Sequence, residues 1–363
     1  MILGTSLNLP RDLYNYANPD LPQHYRSGEA LEFDNTPEEN PVTDMGATLG
    51  RVLFYDKKLS ANNSVSCASC HEQSAAFSDN RTFSVGLNGE KTARNSMSLI
   101  NSRYYENGRF MWDERAATLE EQVLIPIQDH VEMGMDLKDL TVKLQDLDYY
   151  NLLFDKTFGT PEVTKNRIAL ALAQFTRSIV SYNSKFDKAL VASGSPPVDE
   201  KMPLLSTLTQ EEQLGMNIFL RGRNGATCGY CHGTAQMVND EAKNNGLSMF
   251  YDDQGKGKVT LLATDMALFK VPSLKNIAKT APYMHDGRFQ TLMEVIDHYS
   301  DNVQAHPNLN FRLTTLDDGE SGTPYLLKLN LNQQEKEALV AFLHTLTDEQ
   351  VLTDPKFSDP FKQ

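Results

Sequence analysis

Every cysteine of the chain falls in one of two copies of Cys-x-x-Cys-His, Cys67-Ala-Ser-Cys70-His71 and Cys228-Gly-Tyr-Cys231-His232. No other feature limits the possible folds so strongly. The pentapeptide is the attachment site of c-type haem. Its thiols add across the haem vinyl groups, and the adjacent histidine is left under the iron as an axial ligand. Disulfides or a four-thiolate zinc site are the plainer uses of four cysteines. A zinc ribbon keeps its two Cys-x-x-Cys knuckles within about 15–20 residues of each other, whereas Cys70 and Cys228 are far apart. Neither plainer use accounts for a histidine after both pairs. The sequence therefore predicts two covalent haem c groups, held by Cys67, Cys70, Cys228 and Cys231 and ligated by His71 and His232.

The surroundings of the two sites repeat as well. Leu49-Gly50-Arg51-Val52-Leu53-Phe54 leads to the first site, and Leu214-Gly215-Met216-Asn217-Ile218-Phe219 to the second. Downstream, Met111-Trp112-Asp113-Glu114-Arg115 with Thr118, Leu119 and Glu121 matches Met284-His285-Asp286-Gly287-Arg288 with Thr291, Leu292 and Glu294. Two matches in one order argue for duplicated domains, and 363 residues suit two of ordinary size. The loop-like stretch Val191-Ala-Ser-Gly-Ser-Pro-Pro-Val198 reads as the linker. The expected domains are 1–195 and 196–363, with the final helix free to pack back on the first.

Apolar residues recur at helical spacing over Ile168 to Tyr182 and Gln334 to Leu346, and no alternating strand pattern stands out. Thr118-Leu-Glu-Glu121 and Thr209-Gln-Glu-Glu212 resemble capping boxes. Phe77 to Asn95 and Asn239 to Lys258 read as long loops, which are usually functional or mobile. The fold class read from this pattern is all-α: two cytochrome c-like haem domains with long loops.

A net charge of −14 argues against nucleic acid, whose binders carry basic patches. It suits a partner with a positive patch steered by long-range attraction, and plain solubility explains it equally well. No apolar run reaches the roughly 18 residues of a membrane span. The start, Met1-Ile-Leu-Gly-Thr5, lacks a charged n-region and reads as a mature or re-engineered terminus without a signal peptide. The periplasm is the expected address, because bacteria attach haem covalently outside the cytoplasm.

Duplication allows the two irons to be compared. With His285 aligned to Trp112, Tyr299 falls opposite Pro126, each fourteen residues further on. A phenol can ligate iron and a proline cannot. One iron is then capped on both faces, while the other keeps an open position. An open iron binds peroxide; a capped one mainly passes electrons.

These residues resemble the bacterial dihaem cytochrome c peroxidases, and within them the MauG-like branch. The likeness runs from about Leu49 to Leu346. It rests on both haem motifs, Arg94-Asn95, Phe110-Met-Trp-Asp-Glu-Arg115, Leu119-Glu-Glu-Gln122, Pro126, Val131-Glu-Met133, Phe269-Lys-Val-Pro-Ser-Leu-Lys-Asn276 and Pro282-Tyr-Met-His-Asp-Gly287. The resemblance implies that Glu132 and Gln122 lie over the peroxidatic haem, where a carboxylate moves a proton between peroxide oxygens. It implies that Trp112 carries electrons between the haems, and that His285 has a structural role near the second haem or the domain contact. It also implies a calcium ion held by oxygens of Asn95, Thr280 and Pro282.

Two departures set the subtype. Most relatives close the first haem at rest with a histidine in a Ser-Ile-Gly-His pattern, where this chain has Ser84-Val85-Gly86-Leu87. They carry methionine on the second haem where Tyr299 stands, and MauG has tyrosine there. Phenolate lowers an iron potential relative to methionine, which lets the pair share a two-electron oxidation. Met237, Met249 and Met266 are rival ligands for that iron, and His130 is a possible assistant to Glu132. The expected activity is reduction of hydrogen peroxide at the first haem with oxidation of a protein, either an electron donor or a substrate. The rival readings are an ordinary peroxidase fed by cytochrome c or a cupredoxin, and an electron-transfer cytochrome without chemistry of its own. Dimers are common in the family.

Overall fold

A computed structural model describes residues 6–105, 107–238, 241–314 and 325–362. The expectations for Met1 to Thr5, and for Asn239 and Asp240 at the start of the second long loop, lie outside the described residues. The longer helices are α1 (Asp44–Tyr55), α2 (Leu137–Gln145), α3 (Asp148–Phe158), α4 (Lys165–Ser178), α5 (Lys185–Ala192), α6 (Gln210–Arg221), α7 (Leu292–Asp297) and α8 (Gln333–His344). A two-residue antiparallel pair, β1 (Ala242–Lys243) with β2 (Phe269–Lys270), is the sheet among the described residues. The protein is all-α. No described helix is long and apolar enough to cross a membrane.

Local sequence explains the helix starts. Thr43, Thr164 and Thr209 each accept a backbone N–H in the first turn, a cap worth about 1 kcal/mol. Thr209 and Glu212 form the full reciprocal box. At Thr118 only half forms, because the Glu121 carboxylate reaches one residue further back to the Ala117 N–H, 3.0 Å away. Helix α4 stops at Ser178, short of the expected Tyr182.

Two apolar cores organise the chain. In the first, Leu49, Val52, Leu53 and Phe54 of α1 meet Ile168, Ala171, Leu172 and Phe175 of α4, with α2 and α3 packed alongside. In the second, Met216, Phe219 and Leu220 of α6 meet Leu339, Phe342 and Leu343 of α8, flanked by α5 and α7. Each helix pair crosses on a glycine. A Cβ on Gly50 would lie 2.0 Å from the Ala171 carbonyl oxygen, and one on Gly215 1.9 Å from that of Ala338. Only glycine permits so close a backbone approach.

Other features of the backbone repeat too. Asn101 (φ 59°) precedes a 3₁₀ turn at Ser102–Tyr104, and Asn276 (φ 61°) precedes one at Ile277–Lys279. Ser181 ties the two together: its N–H donates to Asn101 Oδ1 at 2.9 Å and its hydroxyl to Asn276 Oδ1 at 2.8 Å. The final helix α8 stays in the second core rather than packing back on the first. The tail beyond it makes that return, burying Val351, Leu352 and Phe357 in the first core. There Arg51 Nη1 donates to the carbonyls of Pro355 and Lys356 at 2.9 and 3.0 Å.

Candidate functional site

The first Cys-x-x-Cys-His is a tight turn. Cys70 N–H and His71 N–H both donate to the Cys67 carbonyl, at 3.1 and 3.0 Å, while Ser66 and Ser69 cap the turn reciprocally. His71 Nδ1 is bonded to the Phe77 carbonyl at 2.9 Å, so Nε2 is the nitrogen left for a metal. Ala76 and Phe77 take left-handed φ values of 56° and 55° to bring that carbonyl round. Burial holds the imidazole below its ordinary pKa range, which favours the neutral form a ligand needs.

The second motif repeats this plan. Cys231 and His232 N–H donate to the Cys228 carbonyl at 3.1 and 2.9 Å. Thr227 Oγ1 anchors the turn on the carbonyls of Phe219 and Leu220 in α6. Burial lowers His232 to about 4. Among the described residues no well-formed hydrogen bond reaches its Nδ1, although the backbone of Pro272 and Met237 lies close enough to favour its protonation. Cys67 packs on the first core and Cys228 on the second, so the four thiols do not form one site. Burial pushes the thiols up, to about 12 for Cys67 and Cys228 and about 11 for Cys70 and Cys231.

A cavity of about 1090 Å³ opens beside the first motif, just above the roughly 300–1,000 Å³ usual for a cofactor pocket. Cys70 and His71 line it, and so do Trp112, Gln122, Pro126 and Glu132. Burial raises Glu132 to about 7, helped by Asp129 and opposed by Arg115. Gln122 Nε2 donates to Met111 Sδ at 3.8 Å. Pro126 sits in the first turn of the short helix Ile125–Gln128. His130 is exposed and does not join the pocket. Leu87 donates its backbone N–H to the Glu132 carbonyl at 3.0 Å, and its side chain packs near Gly134.

Trp112 occupies the seam between the halves. Its Nε1 donates to the Asn95 carbonyl at 2.8 Å, while Asn95 N–H donates to the His285 carbonyl at 2.8 Å. His285 stacks on Phe269 with centroids 3.7 Å apart and meets the Trp112 ring edge-on at 6.4 Å. Asn95 Nδ2 donates to the carbonyls of Arg81 and Thr82, and the Thr280 hydroxyl to that of Ile277.

Tyr299 lies in a π-helical turn, His298–Asn302, that continues α7. Such turns are rare and recur at functional sites. Burial drives its phenol well above the ordinary range, and the Cys228 and Cys231 sulfurs are near enough to act on it. Asn245 Nδ2 donates to the phenol oxygen at 3.1 Å and to Met284 Sδ at 3.4 Å, while the Asn245 carbonyl is bonded to His298 Nε2 at 3.0 Å. Of the rival methionines, Met249 is exposed, and Met237 is fully buried in the second core.

Sequence reasoning missed Asn245 and the π turn, and quoted Met284 only as part of the repeat. Arg94 was quoted only as part of a motif; its guanidinium joins Asp113 at 2.7 Å and Asp253 at 2.7 Å, so that the two long loops meet at the seam. The residues fit two c-type haems: at each motif two thiols and a neutral imidazole share one turn. The first opens on a large cavity; the second has a half-buried imidazole, with the half-buried Tyr299 phenol close to its thiols.

Comparison with known proteins agrees. Residues 44–194 match the family described as di-haem cytochrome c peroxidase. The methylamine utilization protein MauG of Methylophilus methylotrophus is 34% identical over 85% of this chain and 84% of its own length. The cytochrome c551 peroxidase of Nitrosomonas europaea is 32% identical over 87% and 82%. The solved structure of a MauG-like protein associated with microbial copper homeostasis superposes with a TM-score of 0.77 at 34% identity, covering 94% of this chain and 99% of that one. The chain therefore belongs to the di-haem cytochrome c peroxidase and MauG family, and is a peroxidase carrying two c-type haems.

Proposed function

We propose that this enzyme reduces hydrogen peroxide at the haem held by Cys67, Cys70 and His71, and shares the oxidising equivalents with the haem held by Cys228, Cys231, His232 and Tyr299. The observation that carries this reading is Glu132: a partly buried carboxyl, raised to about 7, in the same cavity as His71. When bound, the two haems supply the electron exchange and the open coordination position for peroxide.

The chain supplies the rest. Glu132 takes the peroxide proton and returns it to the departing oxygen, a transfer best served by a group titrating near working pH. The Gln122 amide orients peroxide beside it. Pro126, lining the same cavity, offers no donor that could ligate an iron there. Trp112, fixed between Asn95 and His285, carries electrons between the haem sites. Tyr299 would ligate the iron of the second haem, and oxygens of Asn95, Thr280 and Pro282 would hold a calcium ion. The oxidised partner is a protein, and the periplasm is the site of action.

The test is a titration of the ferric holoprotein with hydrogen peroxide, followed optically at both haems. One equivalent that perturbs both supports sharing. A change confined to the first haem refutes it and leaves an ordinary peroxide scavenger fed by a small donor protein.

A further inference from the structure

Glu114 adopts a backbone conformation that its counterpart in the repeat gives to glycine. The two loops fold alike: φ is 71° at Met111 and 76° at Met284, then 55° at Glu114 and 62° at Gly287. Each is closed by an antiparallel bridge, Phe110 with Ala116 and Tyr283 with Phe289. A left-handed φ suits glycine and strains glutamate, and such strain persists only where surrounding contacts enforce it.

Those contacts are present. Glu114 is 1% exposed. The Tyr105 hydroxyl donates to its Oε1, and Lys256 Nζ lies 2.8 Å from its Oε2. Tyr105 is 2% exposed and lines the cavity that also holds His71 and Trp112. Lys270 Nζ lies beside the Tyr105 ring. A phenol bonded to a buried carboxylate loses an electron and a proton together, which avoids stranding a charged phenol in a low-dielectric site.

We infer that Tyr105 is a second redox residue of this enzyme, with Glu114 as its proton acceptor. The inference rests on the peroxide reading above. The Tyr105 O–H bond breaks, its proton forms an O–H bond on Glu114 Oε1, and its electron fills one of the two oxidising equivalents that peroxide delivers to the haems. A neutral tyrosyl radical remains. It is returned to phenol by an electron from a one-electron protein donor, as the proton comes back from Glu114. Tyr104, next in the chain, packs against Tyr25 with centroids 5.3 Å apart, and Tyr25 against the partly exposed Tyr182 at 6.5 Å. These rings run from Tyr104, the chain neighbour of Tyr105, toward the surface, a route for the returning electron.

The experiment freezes the ferric holoprotein shortly after stoichiometric hydrogen peroxide and records its EPR spectrum, with and without ring-deuterated tyrosine. The expected result is an organic radical whose splitting collapses on deuteration and which is lost in Tyr105→Phe. Glu114→Gln keeps an acceptor oxygen but takes no proton, and should slow the radical's appearance by roughly 10²-fold or more. Glu114→Gly matches the Gly287 loop and relieves the strain, so it guards against misfolding; it too should lack the radical. A radical that persists in Tyr105→Phe overturns the inference, as does a wild-type optical change at the haems with no tyrosyl signal. No optical change at all would overturn the peroxide reading, and this inference with it.

Discussion

Trp112 donates its indole N–H to the carbonyl of Asn95 at 2.8 Å. The chain's one tryptophan is thereby held by a residue of the first half, while its own carbonyl accepts the Lys270 N–H of the second half at 2.8 Å. A residue held by both halves, ring and backbone, suits an electron relay. Trp112→Phe should leave both haems attached by mass spectrometry. It should slow the peroxide-induced optical change at the second haem while the first still reacts; equal rates at both haems would dismiss the relay.

We predict that Glu132 sets the pH dependence. Its folded pKa is raised to about 7, chiefly by burial. The proton-accepting carboxylate therefore dominates above about 7 and is lost as pH falls below it. The rate of peroxide reaction should fall on the acid side of that point. Glu132→Gln should lower the rate by roughly 10²–10⁴-fold and flatten the profile. Stopped-flow rates across pH 5 to about 9 check both.

Gly50 and Gly215 test the packing of the repeat. A Cβ at either meets a backbone carbonyl at 2.0 or 1.9 Å, which the helix pair can relieve only by separating. Gly50→Ala and Gly215→Ala should each destabilise by about 1–3 kcal/mol. They act on different cores, so their effects should add. Thermal unfolding of the two single variants and the double variant measures this.

Much of this was legible in the sequence, for physical reasons. The haem motifs are local, since turn, thiols and imidazole lie within five residues. The glycines at 50 and 215 and the Met111 and Met284 loops repeat because one backbone plan is used twice. The long-range side-chain contacts were not legible. Asn245 reaches Tyr299 across 54 residues and Arg94 reaches Asp253 across 159, and no periodicity encodes such meetings. The half-formed box at Thr118 shows the same limit: the motif places a glutamate in reach, and the chain's path selects which N–H it takes. A clue was nonetheless available at Glu114, a charged residue where its repeat has glycine.

Asn245 and Tyr299 should move the second haem's potential in opposite directions. A hydrogen bond to a phenolate ligand draws charge from it and weakens its hold on ferric iron. Asn245→Leu should therefore lower the midpoint potential, while Tyr299→Phe, which removes the ligand, should raise it. Spectroelectrochemical titration reads both shifts, and a null result for Tyr299→Phe would remove the phenol from the iron.

The most direct measurement is the EPR spectrum of the resting ferric protein before and after cyanide. One high-spin haem that converts to low spin with a single cyanide per chain, beside a low-spin haem that ignores it, is the predicted result. Two low-spin haems, neither altered by cyanide, would contradict the account.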